Sequence, residues 1–234
     1  MSDVVDIAIA IVVSVLPFYF GLGLTISALR GRQNEAVAMA TGASIFLFID
    51  PIRDTNGLGG FAPNFGPENL VILAAFSFTF LLLSTGLGGR NAWPLWVLAT
   101  GIAIHTFAEA SELAGSVPTY LSDFSVALPG GLSFVLHKAI EGFVLGAYSL
   151  LIGARWKQAA LGGLPLVGIS IAGAAASLVP SLDLSPFIAA GAGGWMFVVV
   201  ALGTGTTRPI RPATFALILA GLVIVYTVGL LHSA

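Results

Sequence analysis

Long apolar runs with almost no charge constrain this chain more than any other feature. A first run extends from Ile7 to Leu29, and similar runs recur down to Pro212–Leu231. A segment inside a bilayer must satisfy its own backbone hydrogen bonds, so each run should be helical. One span needs about 20 mainly apolar residues. The runs predict eight spans, at about residues 7–29, 34–50, 69–89, 92–113, 125–153, 158–180, 185–206 and 211–232.

The composition excludes most soluble classes of protein. Of the 234 residues, 57% are hydrophobic and 9% are charged, whereas a soluble domain carries about 25% charged residues. A soluble enzyme is therefore excluded, as is a nucleic-acid binder, which needs a basic stripe. The absence of cysteine excludes disulfides and thiolate metal sites. We expect one all-α integral membrane domain over residues 1–234, with the lipid bilayer as partner and no nucleic acid.

The basic residues predict the orientation of the chain. Seven of the nine lie in alternate loops between the predicted spans: Arg30, Arg32, Arg90, Arg155, Lys157, Arg208 and Arg211. The positive-inside rule makes those loops cytoplasmic. Asp3 and Asp6 have the wrong sign for the start of a signal peptide, so the first run should be a retained span. We expect a multi-pass protein of the cell membrane with both termini external.

An internal repeat relates the two ends of the chain. The segment Met39–Phe48 resembles Ile188–Phe197 at an offset of 149, and Leu16-Pro17 matches Leu164-Pro165 at 148. Spans one and six enter the bilayer from opposite sides, so the repeat is inverted. Inverted repeats are typical of transporters. The predicted order is three spans, two unrepeated spans and three spans, a 3+2+3 arrangement.

The two unrepeated spans hold nearly all the ionisable residues inside the membrane. Span four carries His105 and Glu109, and span five carries His137 and Glu141; an i,i+4 spacing places each pair on one helix face. From the cytoplasmic ends, His105 and Glu141 both lie about 20 Å deep. In antiparallel helices each histidine can then face the other helix's glutamate. Such a set suits zinc, and would accept iron, manganese or cadmium.

A structural alternative is that two His–Glu hydrogen-bonded pairs simply tie the helices together. Burying so many ionisable groups in a membrane is costly, however, which favours a functional role. The motifs also resemble those of the ZIP family of divalent-metal transporters. His105 and Glu109 fit the family's His-Asn-x-x-Glu/Asp-Gly motif, and His137, Glu141 and Gly142 fit its His/Gln-x-x-x-Glu-Gly motif. The resemblance implies eight spans with external termini, a metal site between spans four and five, and a homodimer.

The chain departs from the family pattern at several positions. Thr106 replaces the usual Asn, Ala110 replaces the usual Gly, and Lys138 stands where the family often has a ligand to a second metal. Because a protonated lysine binds no metal, we expect one metal site, with the ammonium offsetting the charges of Glu109 and Glu141. A simple i,i+3 ion pair between Lys138 and Glu141 is the plainer interpretation, and the two are compatible.

Two further acidic residues are candidates for the ion pathway. Glu112 continues the stripe of His105 and Glu109 outward, and either passes ions to the site or is an interfacial residue. Asp50 lies at the outer end of span two, before Pro51. It either lines an access path or pairs with Arg53 at the helix end.

These features predict a transporter that moves a divalent cation towards the cytoplasm, with zinc as the leading candidate. We expect no catalytic residue, no enzyme activity and no cofactor besides the transported metal; the chain has no Walker A motif. Two alternatives stay open. The same His/Glu cluster could activate water in an intramembrane metalloenzyme, or the chain could be a relative that binds metal without transporting it.

Overall fold

The computed structural model describes residues 3–54, 66–86, 93–179, 181–205 and 211–232. Within these ranges the regular secondary structure is helical, without strands. The helices are α1 (Asp3–Ala28), α2 (Gln33–Asp54), α3 (Pro67–Thr85), α4 (Trp93–Ser122), α5 (Phe124–Leu151), α6 (Trp156–Gly162), α7 (Leu164–Ala176), α8 (Ser185–Gly205) and α9 (Pro212–His232).

Several of these helices can cross a membrane. Six segments of the described chain are long and apolar enough: Asp3–Ala28, Gln33–Ile52, Pro129–Leu151, Trp156–Ala176, Ser185–Gly205 and Pro212–Leu230. Asn69–Thr85 is apolar but shorter, and α4 carries His105, Glu109 and Glu112, which lower its apolar character. The expected all-α membrane protein is confirmed at this level, whereas the number of spans and their 3+2+3 order stay predictions.

The largest departures from the predicted bounds are in α4 and in the sixth span. α4 continues to Ser122, beyond the predicted end at residue 113. The sixth predicted span is divided at Gly163 into α6 and α7. Pro165 follows the break and has no backbone N–H, so it cannot donate the i→i−4 hydrogen bond of a continuous helix. The Tyr19 hydroxyl donates a hydrogen bond to the Ala160 carbonyl, 3.1 Å away, and ties the break to α1.

Small residues let the helices approach closely. A Cβ atom added at Gly142 on α5 would lie 1.9 Å from the carbonyl oxygen of Phe18 on α1. The main packed pairs are α1 with α5, α4 with α7, α2 with α9, α3 with α8, and α4 with α8. α4 and α5 run antiparallel, because Tyr120 lies beside Gly130 while Thr106 lies beside Glu141. This direction brings the polar residues of the two helices together.

Candidate metal centre

Four ligand-type side chains converge between α4 and α5. His105 and Glu109 occupy one face of α4, and His137 and Glu141 occupy one face of α5. One nitrogen or oxygen atom from each of them lies within 4.8 Å of the others, a group that could hold a metal ion. The i,i+4 spacing and the antiparallel direction produce the convergence that the sequence predicts.

Glu109 is at the centre of this group. Its Oε1 atom lies 3.2 Å from Nε2 of His105 and 3.2 Å from Nε2 of His137. The predicted pairing of His137 with the glutamate of the other helix is therefore found. The matching pairing of His105 with Glu141 is not: of these two carboxylates, His105 contacts that of Glu109, on its own helix. His137 also lies 3.3 Å from Oε1 of Glu141.

The histidine nitrogens lack hydrogen-bond partners. Nδ1 and Nε2 of His105, and Nε2 of His137, are buried and accept or donate no hydrogen bond within the described part of the chain. Their Nε2 atoms lie 3.2–3.3 Å from carboxylate oxygens without forming a hydrogen bond. Buried polar atoms are normally satisfied. A cation between the two Nε2 atoms and Glu109 would satisfy both Nε2 atoms, and zinc accepts nitrogen and carboxylate ligands.

Lys138 lies on the inner side of the group and is fully buried. Its Nζ donates hydrogen bonds to Oε2 of Glu109 and to Oγ1 of Thr106 at 3.0 Å. The third N–H is shared between the two oxygens of Glu141, which lie 2.9 and 3.0 Å from Nζ. The Phe134 ring covers it, with the centroid 5.5 Å from Nζ. The predicted i,i+3 pair with Glu141 is confirmed, and the ammonium also reaches Glu109 as expected.

A cavity of about 190 Å³ leads to the group from one end of the bundle. Its lining includes His105, Glu109 and His137, together with both acidic pathway candidates, Asp50 and Glu112. Asp50 is half-buried and Glu112 is exposed. The side chain of Arg53, the alternative partner predicted for Asp50, lies outside the described residues. Both acidic residues therefore line the same cavity as three members of the His/Glu group.

The other side of the group is filled with apolar side chains. Leu98 and Ile102 on α4, Leu145 on α5, and Phe18 and Leu22 on α1 are all fully buried and belong to one hydrophobic core. The cavity therefore reaches the group from the end of the bundle opposite this apolar core. That end is where α2, α4 and α9 finish and where α5 and α8 begin.

Three neighbours of the site were missed by sequence reasoning. Ser133, one turn before His137, lines the cavity and donates a hydrogen bond to the Val228 carbonyl on α9, 2.8 Å away. Phe134 lies one turn before Lys138. The i,i+4 pattern of α5 could have indicated both of these residues. Trp195 on α8 packs its ring edge-on against His105 at 6.3 Å, a contact between distant segments that no local pattern signals.

Comparison with known protein families finds no match for this chain, and comparison with curated proteins finds none either.

Proposed function

We propose that this chain is a membrane transporter that carries a divalent cation towards the cytoplasm, with zinc as the leading candidate. We further propose that it is a member of the ZIP family. The observation that carries the proposal is the His/Glu group of α4 and α5, which a cavity reaches from one end of a helical bundle. A transporter needs such a site in mid-membrane, accessible from one side at a time. The filled core beyond the site corresponds to the closed side.

The distribution of charge supports the inward direction. Five described cations are exposed at the end of the bundle opposite the cavity: Arg30, Arg32, Arg155, Lys157 and Arg211. Arg53 is the exception, because it lies near the end of α2 on the cavity side. The positive-inside rule would make that end cytoplasmic. Arg90 and Arg208 lie outside the described residues. With this orientation the cavity faces the exterior and both termini are external in the cell membrane.

The pairing of helices supports the eight-span 3+2+3 arrangement. In a 3+2+3 repeat, α1, α2 and α3 correspond to α6–α7, α8 and α9, and the central helix α5 corresponds to α4. The contact of α1 with α5 is then the counterpart of the contact of α7 with α4. By the same exchange, α2 packed on α9 is the counterpart of α8 packed on α3. Two related halves provide outward-open and inward-open states by exchanging roles. The family resemblance further implies a homodimer.

The position of Lys138 supports one metal per chain. Its ammonium occupies the space between Glu109 and Glu141 where a second cation would need those same carboxylates. Two adjacent cations would repel each other strongly in a buried place. The site would therefore bind a single ion.

An intramembrane metalloenzyme is the second candidate. The observation that favours it is that the cavity reaches His105, Glu109 and His137 directly, because a metal held there could also activate water. Release of the ion on the far side of the membrane distinguishes transport from both this function and simple metal binding.

Uptake into proteoliposomes tests the proposal. Purified protein would be reconstituted, supplied with external zinc, iron, manganese, cobalt or cadmium, and the trapped metal measured by elemental analysis. We expect uptake by the wild type, loss in His137→Ala, and retention in Leu136→Ala, the matched control on the exposed face of α5. If the wild type binds metal but no ion accumulates inside, transport is excluded while the metal site stands.

A further inference from the structure

We propose that the transported metal is held by three protein ligands, His105, His137 and Glu109, and that Glu141 is a positioning residue that holds Lys138. The inference rests on the proposed function, because it assigns roles within the same site. It goes further by separating the four ligand-type side chains into three that bind the ion and one that binds the ammonium group.

The oxygens of Glu141 are already engaged. Both lie at hydrogen-bond distance from Nζ of Lys138, at 2.9 and 3.0 Å, and Oε2 lies 3.5 Å from the Thr106 hydroxyl. Glu141 is fully buried and does not line the cavity, whereas the other three members of the group do. An ion arriving through the cavity therefore meets His105, Glu109 and His137 first.

Glu109 can serve the metal and the lysine at once. Its Oε1 atom faces both histidine Nε2 atoms at 3.2 Å, while its Oε2 atom accepts the hydrogen bond from Lys138. A cation can thus bind Oε1 without displacing the ammonium. The Lys138 contact also withdraws charge from this carboxylate, which favours release of the ion over permanent retention.

Charge balance keeps Glu141 with its lysine. Lys138 and Glu141 are both fully buried and together form a neutral pair. Transfer of Glu141 to the metal would leave a buried ammonium with only Glu109 and a neutral hydroxyl, and an incompletely compensated buried charge is strongly unfavourable. The arrangement with the lowest free energy keeps the Lys138–Glu141 ion pair intact and binds the metal ion beside it.

A three-ligand site has an open coordination position on its cavity side. Closed structural zinc sites use four protein ligands, whereas sites with three keep a place for water. The ligand chemistry then selects a borderline divalent cation that retains water, such as zinc, cobalt or iron(II), and disfavours soft ions such as copper(I). It also allows rapid exchange with the solution in the cavity.

A double substitution separates a ligand from a positioning residue. Cobalt(II) would be titrated into the purified full-length chain in detergent, with affinity and visible absorption spectrum as readouts. We expect Glu141→Gln alone to weaken binding, because the unpaired ammonium then turns to Glu109. Adding Lys138→Met should restore the affinity to within about threefold of wild type, with an unchanged cobalt spectrum. A double variant that binds as weakly as Glu141→Gln, or with an altered spectrum, would overturn the assignment.

A second measurement uses the wild type and needs no substitution. Azide added to the cobalt-loaded protein should shift the visible spectrum, because a small anion can occupy the open position. A spectrum that azide leaves unchanged would mean a closed four-ligand site, with Glu141 as the fourth ligand. If the wild type binds no cobalt, zinc or iron, the proposed function itself fails at the site; binding without uptake removes transport and leaves the three-ligand assignment standing.

Discussion

Gly191 on α8 lies directly against the backbone of His105 on α4. A Cβ atom added at Gly191 would be 2.7 Å from Cα of His105 and 3.0 Å from its Cβ. The absence of a side chain at this position lets α8 support one metal-ligand residue from behind, with Trp195 of the same helix against the imidazole ring.

Gly191→Ala should therefore disturb the metal site. The new methyl group must push α8 and α4 apart, at a cost of about 1–3 kcal/mol in the free energy of unfolding, and shift His105. We expect zinc affinity to fall about tenfold, as when a ligand loses its supporting neighbours. Zinc titration and thermal unfolding in detergent measure both effects.

Gly203→Ala on the same helix is the matched control for this substitution. An added Cβ atom there has nothing within 4 Å, so affinity and stability should stay at the wild-type level. Equal behaviour of the two variants would show that the close approach at Gly191 does not position His105.

Glu109→Gln should abolish metal binding almost completely. The substitution removes the one carboxylate that faces both histidines and leaves a neutral amide beside the ammonium of Lys138. We expect affinity to fall by more than about 100-fold, beyond the usual effect of residues that only support ligands. Calorimetric zinc titration measures the loss. Glu112→Gln, one turn further along α4, should retain tight binding at equilibrium, and an equal loss in both variants would point to general electrostatic attraction.

Lys138→Asp should raise the number of bound metals per chain from one to two. The ammonium is replaced by a third carboxylate beside Glu109 and Glu141, which converts a repulsive place for a cation into an attractive one. Elemental analysis of the purified protein gives the stoichiometry. Lys138→Met removes the charge without adding a ligand, and its stoichiometry shows whether loss of the ammonium alone admits a second ion. One metal in the aspartate variant would contradict the idea that the ammonium excludes a second ion.

Ser133→Ala should weaken the contact between α5 and α9. The hydroxyl donates the hydrogen bond to the Val228 carbonyl across the cavity wall, and its loss should lower the free energy of unfolding by about 0.5–1.5 kcal/mol. Ser116→Ala is the control, because the Ser116 hydroxyl donates its hydrogen bond to the backbone carbonyl of Glu112 on the same helix. Thermal unfolding in detergent compares the two, and no difference between them would argue against a stabilising role of the α5–α9 bond.

The sequence predicts much of the helical framework because lipid leaves few alternatives. A charge-free run in hydrocarbon must become a helix, so the predicted spans overlap the observed helices throughout the described residues. The ends are harder to predict. α4 extends to Ser122 through Pro118 because helix termination beyond the apolar core depends on local contacts. The division at Gly163 combines Pro165 with a hydrogen bond from Tyr19, and that partner is distant in sequence.

The site is predictable as far as helix periodicity reaches. The spacing of His105 with Glu109, and of His137 with Glu141, fixes two helix faces, and counting depth brings those faces together. Periodicity does not reveal which oxygen of each glutamate faces the ammonium. The choice depends on the rotation of α4 against α5, which is set by close contacts such as that of Gly142 with Phe18. For the same reason, the contact of Trp195 could not be anticipated.

The neutral pair of Lys138 and Glu141 also restricts how such a protein can evolve. A descendant that loses either residue alone would pass through a form with an uncompensated charge in its interior, and selection would remove most such forms. The two positions should therefore be inherited or exchanged together across any lineage that keeps this architecture.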